Sequence, residues 1–316
     1  MKKRFVMAVI AATLVLGGCA GKTDAPSEGS ALFEKVDENG QSETENNGSA
    51  DSAAEGEGAA EKSETGESSA DSEDYTEQIK AEIAAITSGS ESLSKELVSV
   101  NELYNKYDEL RMNAPDQTSI NELSKWGTVV WKEETLSLLD RLKQNDPDNY
   151  DDLYAEHQKW ESYVPSMAEK MSYMYAEGSI YPTIYAYNEA MRYKREAYVL
   201  SSTLADIIND VAFGFPDSTP CGFYGDYASD SYLIITEGME SDSYDILIHF
   251  DDSKELRGWG TVEDAPDAET YLLFTSEDDT VKGYVSHSAL EASFYVTETD
   301  NSVVGPEGAW TFTFKY

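Results

Sequence analysis

The sequence is poor in cysteine and in basic residues, and each shortage excludes a class of protein. Only two cysteines, Cys19 and Cys221, occur in 316 residues, so a framework of several disulfides cannot hold the chain. The 23 Lys and Arg residues are outnumbered by 61 Asp and Glu residues, which gives a formal net charge of -38. Such a charge repels nucleic acid and attracts cationic proteins at low salt. We therefore expect no nucleic-acid partner.

The motifs of common enzyme classes are also missing. The chain has no Gly-x-Ser-x-Gly elbow, no phosphate-binding glycine loop and no His-Glu-x-x-His pair. The three histidines, at positions 157, 249 and 287, fall in different predicted elements, so each is interpreted as a surface or structural residue. The acidic run 146–152 lacks the glycine and the glutamate of a calcium loop and predicts helix capping. We expect no enzyme, no catalytic, cofactor-binding or metal-binding residue, and an inert thiol at Cys221.

The N-terminus has the pattern of an exported lipoprotein. Basic residues 2–4 precede an apolar run over 5–16, and Leu16-Gly-Gly-Cys19 is typical of a lipobox. The run is too short for a membrane-spanning helix. We expect a signal peptide over 1–18, lipid attached to Cys19, and a protein anchored on the extracytoplasmic face of a membrane. An ordinary signal peptide with a chance cysteine is the alternative.

Residues 19–74 predict a disordered acidic tether. Positions 20–74 hold sixteen Asp or Glu and three Lys, with few large apolar side chains, so the segment cannot bury enough area to offset its ordering entropy. As a flexible coil it would span roughly 40 Å. That length suits a Gram-positive envelope better than an outer membrane.

Residues 75–212 have the period of amphipathic helices. Apolar residues recur at steps of three and four, and Ser and Gly near 88–90 predict a break between two helices. Asp116 is predicted to begin one long helix that ends at 146–148, which should also cap the next helix. That helix contains Pro165, and Tyr181-Pro182 begins the last one. Long helices with short connections predict an antiparallel bundle.

The period changes to two after a turn-rich linker at 213–221. Residues 222–316 alternate apolar and polar positions between turns, which predicts an antiparallel β-barrel or sandwich. The fold class expected is therefore α+β, with two domains. The expected strands are 232–236, 244–250, 270–275, 281–285, 292–299 and 309–316.

The helical segment also carries motifs of a known family. The motif residues are Gln117, Asn121, Leu123, Trp131, Leu142, Leu153, Glu156, Gln158, Trp160, Gly178, Ser179 and the run Arg195-Glu-Ala-x-x-Leu200. Over about residues 112–205 they resemble the LprI-like lysozyme-inhibitor N-terminal domain family, although Gln158 is one residue closer to Trp160 than that family's spacing. The resemblance implies a helical exported domain, associated in some members with inhibition of lysozyme.

The residues behind this resemblance also have a structural interpretation. Trp160 lies on the apolar stripe of its helix, and a buried Arg195 would need a carboxylate from a facing helix, such as Glu134 or Glu156. Asn121, Gln158, Gly178 and Ser179 are likewise interpreted as architecture. The strand rhythm of the C-terminal part resembles small lipoprotein barrels, including the MliC-type lysozyme inhibitors.

Three function classes stay open. In the first class, the chain would be a tethered binding protein, either a lysozyme inhibitor or a binder of other cationic exported proteins. Alternatively it is a surface hydrolase or sensor whose site is assembled from distant residues, or a structural lipoprotein. The expected partners are membrane lipid through Cys19 and a cationic protein such as lysozyme, and no cofactor is expected.

Overall fold

The computed structural model describes residues 74–216, 219–225, 231–251, 254–264, 270–288, 290–300 and 303–313. The expected signal peptide, Cys19 and all but the last residue of the tether lie outside these residues. Within the described ranges, no helix is long and apolar enough to cross a membrane.

Helices occupy the first part of the described chain. They are α1 (Thr76–Gly89), α2 (Leu93–Met112), α3 (Gln117–Leu123), α4 (Lys125–Asn145), α5 (Tyr150–Ser172) and α6 (Tyr181–Ile208), and a 3-10 turn at Tyr173–Tyr175 follows α5. The predicted break near 88–90 is confirmed, as is the start of the last helix at Tyr181-Pro182.

Two helix-boundary predictions were wrong. The long helix expected after Asp116 is divided into α3 and α4 at Ser124, whose hydroxyl donates to the carbonyl oxygen of Ile120 at 2.7 Å. Such a side-chain bond competes with the helical backbone ladder. The run 146–148 does not cap α5 either. Asn149 is the N-cap residue, and its amide donates to the Asp146 carboxylate and caps no helical N–H.

The helical core lies where α6 packs against α4 and α5. Trp131 and Leu138 of α4, Trp160 of α5 and Leu200 of α6 are all completely buried. The rings of Trp160 and Tyr193 meet edge to face at 5.4 Å. Burying such large apolar side chains is the main source of stability in a helical bundle.

The second part is one antiparallel sheet of eight strands in sequential order. The strands are β1 (Gly222–Tyr224), β2 (Tyr232–Glu237), β3 (Ser243–Asp251), β4 (Lys254–Asp264), β5 (Thr270–Ser276), β6 (Val281–His287), β7 (Glu291–Thr299) and β8 (Ala309–Thr313). The rings of Phe250 on β3 and Trp310 on β8 lie 4.9 Å apart, so the sheet curls into a nearly closed, barrel-like form. A two-sheet sandwich is therefore excluded. Strands β1 and β4 were not expected from the sequence.

Alternate residues of each strand fill the inside of the sheet. The inward side chains share complete or nearly complete burial and include Leu233, Ile235, Ile246, Ile248, Leu272, Phe274, Val285, Phe294 and Phe312. Gly258 faces the same interior, and a Cβ atom there would lie 2.1 Å from the carbonyl oxygen of Thr275. Only glycine allows this close approach of β4 and β5.

The outer face of the first strands packs onto the helices. Phe223 on β1 and Ile234 on β2 belong to the helical core, and Leu247 on β3 packs against it. Gly214 of the linker contacts the helices too, because the Ser94 hydroxyl donates to its carbonyl oxygen and accepts from its N–H. The helices and the sheet therefore share one apolar interface.

Candidate functional site

The family-like polar residues lie in two places in the helical part. The amide of Asn121 donates to the carbonyl oxygen of Ser179 at 3.3 Å, and its side-chain oxygen accepts from the Thr183 hydroxyl at 2.8 Å. Asn121 therefore connects α3 to the start of α6. Gln158 and Gly178 are exposed, and Gly178 directly precedes Ser179 of this contact.

Trp160 lies beside a buried contact between His157 of α5 and Glu196 of α6. His157 Nδ1 is 2.7 Å from Glu196 Oε1, both residues are buried, and the imidazole packs 5.6 Å from the Trp160 ring. Trp160 is itself completely buried. These groups join two helices and expose no surface to a partner.

Arg195 does not lie against either of the carboxylates expected for it. Its Nη2 donates to the carbonyl oxygen of Cys221 and to the Tyr224 hydroxyl, each at 3.3 Å, because this side of α6 faces β1. The guanidinium carbon also lies 4.6 Å from the centre of the Tyr224 ring. Glu134 instead lies 3.5 Å from Arg141.

Arg192 lies one turn before Arg195 on α6. The two arginines, together with Cys221 and Tyr224, form a cluster between α6 and β1 that we call the junction cluster. Arg192 Nη1 donates to the carbonyl oxygen of Phe223 at 3.2 Å. Burial, followed by the charge of Arg195, lowers the pKa of Arg192 to about 9. Burial raises the pKa of the Cys221 thiol to about 12, so this cysteine is not a nucleophilic thiolate near neutral pH.

A second candidate lies on the outer face of the sheet, on strands that the helical core does not cover. Leu273, Tyr284 and Tyr295 follow one another across β5, β6 and β7 in register. Trp259 on β4 and Tyr271 on β5 flank this row. These five residues form a surface that we call the outer strip.

The outer strip is both apolar and accessible. Trp259 is 43% exposed and Leu273 is 41% exposed. The rings of Tyr284 and Tyr295 stack at 4.7 Å, and that of Tyr271 lies 5.4 Å from Tyr284. Large aromatic side chains of this kind are the residues most enriched at protein interfaces.

Carboxylates border the outer strip on several sides. Asp245 pairs in register with Trp259, Glu263 pairs with Tyr271, and Glu277 follows the end of β5. The nearby cations, Arg257 and Lys282, lie against Glu255 and Glu298. The strip therefore combines an apolar centre with an acidic border.

Sequence reasoning missed the outer strip, although only Trp259 lies on the unexpected strand β4. One signal was available: residues 271–274 read Tyr-Leu-Leu-Phe, with apolar side chains on both faces of the strand. A solvated face would carry polar residues at alternate positions. An apolar outer face indicates either a covering element or a binding surface.

No group of three or more His, Cys, Asp or Glu residues in the described ranges could hold a metal ion. Comparisons with protein-family models, curated proteins and solved structures found no match for this chain.

Proposed function

We propose that this protein is a membrane-anchored binding protein that holds an exported protein partner on the outer strip. The observation that carries the proposal is the row formed by exposed Leu273 and half-buried Tyr284 and Tyr295, with exposed Trp259 beside it. A contiguous exposed apolar patch marks an interaction site more often than a solvated surface.

The partner class is a cationic exported protein. The acidic border at Asp245, Glu263 and Glu277 and the formal net charge of -38 both favour a basic partner. Lysozyme is the leading candidate, since the helical part also resembles a lysozyme-inhibitor family. Charge would steer the encounter, and the aromatic centre would supply the affinity.

A polysaccharide is a weaker candidate for the same surface. Sugars stack on aromatic rings whose faces are open to solvent. The Tyr284 and Tyr295 rings lie nearly parallel, with 16° between their planes at 4.7 Å, so each covers a face of the other. This arrangement suits the uneven surface of a protein better than a flat sugar ring.

The proposed location depends on Cys19. Lipid on this residue and the acidic tether after it would hold the folded part away from the extracytoplasmic face of the membrane. Cys19→Ala should move the protein from the membrane fraction to soluble or uncleaved forms. Unchanged membrane association with normal signal cleavage would show that the anchor lies elsewhere.

Calorimetry with lysozyme tests the proposed function. We expect binding at physiological salt, with association slowing between about 50 and 200 mM salt as the Debye length falls from roughly 14 to 7 Å. An inhibitor must also slow cell-wall lysis at physiological salt. Absence of both binding and inhibition at tens of micromolar protein would reject lysozyme as the partner.

A further inference from the structure

Two buried guanidinium groups lie next to each other where α6 meets β1. Arg192 is 1% exposed and Arg195 is 9% exposed. Being three residues apart, they project from the same side of the helix. Arg192 Nε and Arg195 Nη1 are both buried, and neither has a hydrogen-bond acceptor among the residues that the structure describes.

The groups that act directly on Arg192 among the described residues carry no negative charge. They are Arg195, Tyr187, Tyr224 and Cys221. One carboxylate, Glu237, acts on Tyr187 and Cys221, and burial raises its pKa. Burial raises the pKa of Cys221 to about 12 and also raises that of Tyr187, so both are neutral near pH 7.

His287 is a further titratable neighbour of Arg195. Burial, and then the positive charge of Arg195, lower the pKa of His287. The neutral imidazole therefore brings no compensating charge. Two like charges lie together out of water, which is costly unless a counter-ion is bound.

The contacts of the arginines with β1 leave these N–H groups unused. Arg192 donates to Phe223 through Nη1, and Arg195 donates to Cys221 and Tyr224 through Nη2. The unsatisfied donors are different atoms, Arg192 Nε and Arg195 Nη1. The hydrogen bonds that join α6 to β1 thus use only some of the N–H groups of the two arginines.

We propose that Arg192 and Arg195 form a binding site for a small oxyanion, either a carboxylate or a phosphate. The planar guanidinium fork matches both groups, and charge-assisted hydrogen bonds would satisfy the two free donors. Cys221 and His287 are each partly exposed, so the cluster lies near the surface of the protein. This site lies on α6 and β1 and is separate from the outer strip.

Thermal unfolding of the full chain in three sodium salts at equal ionic strength and pH 7 tests the site. Phosphate or succinate should raise the midpoint by a few degrees in a saturable manner, and chloride should not. A rise with only one of the two anions would assign the ligand to that class. Equal midpoints in all three salts would overturn the proposal.

Variants separate site binding from general salt effects. Arg195→Gln should abolish the saturable rise, and Arg195→Lys should weaken the apparent affinity at least about tenfold because a lysine has no fork. The control Lys95→Gln removes an exposed cation of α2 and should leave the rise unchanged. A rise that is linear in salt and persists in Arg195→Lys is a solvent effect and would refute the site. If Arg195→Gln does not fold, the unfolding midpoints of the wild type in the three salts and of Arg195→Lys still test the site.

Discussion

The carbonyl oxygen of Phe223 accepts a hydrogen bond from Arg192 Nη1 at 3.2 Å, while the Phe223 ring is buried in the helical core. One residue of the first strand is thus bound to the last helix by both its backbone and its side chain. This relationship makes the sheet part of the environment that stabilises the bundle.

Phe223→Ala should therefore destabilise both parts together. Loss of a buried phenylalanine costs about 3 to 5 kcal/mol, and we expect the helical and tertiary signals to shift to the same lower denaturant concentration. Far-UV circular dichroism and tryptophan fluorescence would measure the two midpoints. Met174→Ala, at a residue 74% exposed, is the control. A helical midpoint unchanged by Phe223→Ala would mean that the bundle does not depend on the sheet.

Gly258→Ala should disturb the barrel interior. The new methyl group would lie 2.1 Å from the Thr275 carbonyl oxygen and 2.7 Å from the Phe274 ring, so β4 and β5 must separate. We expect a loss of about 2 to 3 kcal/mol in urea unfolding. Gly305→Ala is the matched control, because nothing lies within 4 Å of its Cβ position. Equal stability of the two variants would contradict the close approach of these strands.

Glu134 should make the stability depend on pH. Burial, and then the neighbouring Glu96, raise the pKa of Glu134 well above its usual 4.5. Between 4.5 and the raised value the folded protein holds a proton that the unfolded chain releases, so stability falls as pH rises through this window.

Glu134→Gln should remove that loss. Above the raised pKa the variant should gain about 1.4 kcal/mol for each pH unit of the original shift, while Arg141 keeps its two bonds to Glu96. Urea midpoints from pH 5 to 8 would measure the gain. Exposed Glu122→Gln serves as control. Parallel pH curves for Glu134→Gln and the wild type would mean that Glu134 is ionised in the folded protein.

Trp160 allows the stability contribution of a buried position on α5 to be compared with that of an exposed position on the same helix. Trp160→Ala should cost about 3 to 5 kcal/mol because the indole is completely buried. Tyr163→Ala, three residues further along α5 and 43% exposed, should cost less than about 1 kcal/mol. Similar losses in the two variants, measured by urea unfolding, would contradict the orientation of α5.

Helices and most strands could be predicted because their apolar periods are local. Residues 88–90 and 181–182 are strong boundary signals, since Gly and Ser disfavour the helix interior and proline favours its first turn. Ser124 was missed because the division between α3 and α4 depends on a hydroxyl bond within the helix, which no change of period marks.

The missed elements are those whose role is set by distant residues. β4 carries Gly258 and Gly260 at inward positions and charged residues at both ends, so it lacks the β-branched pattern of a strand. The need for glycine at these positions follows from the close approach of Phe274 and Leu272 of β5, which the sequence of β4 does not reveal. The environment of Arg195 was mispredicted for a similar reason, because a helical pattern indicates which face is buried but does not identify its neighbour.

The outer strip is tested most directly by the affinity of a strip variant for lysozyme at physiological salt. Trp259→Ala with Leu273→Ser removes two exposed side chains and leaves the inward core intact. Glu122→Gln with Tyr163→Ser is a surface control on the helices. We expect the strip variant to bind lysozyme at least about tenfold more weakly than the wild type, with the control unchanged and all three proteins equally folded by circular dichroism. Equal affinity of the strip variant and the wild type would contradict the proposal that this surface holds the partner.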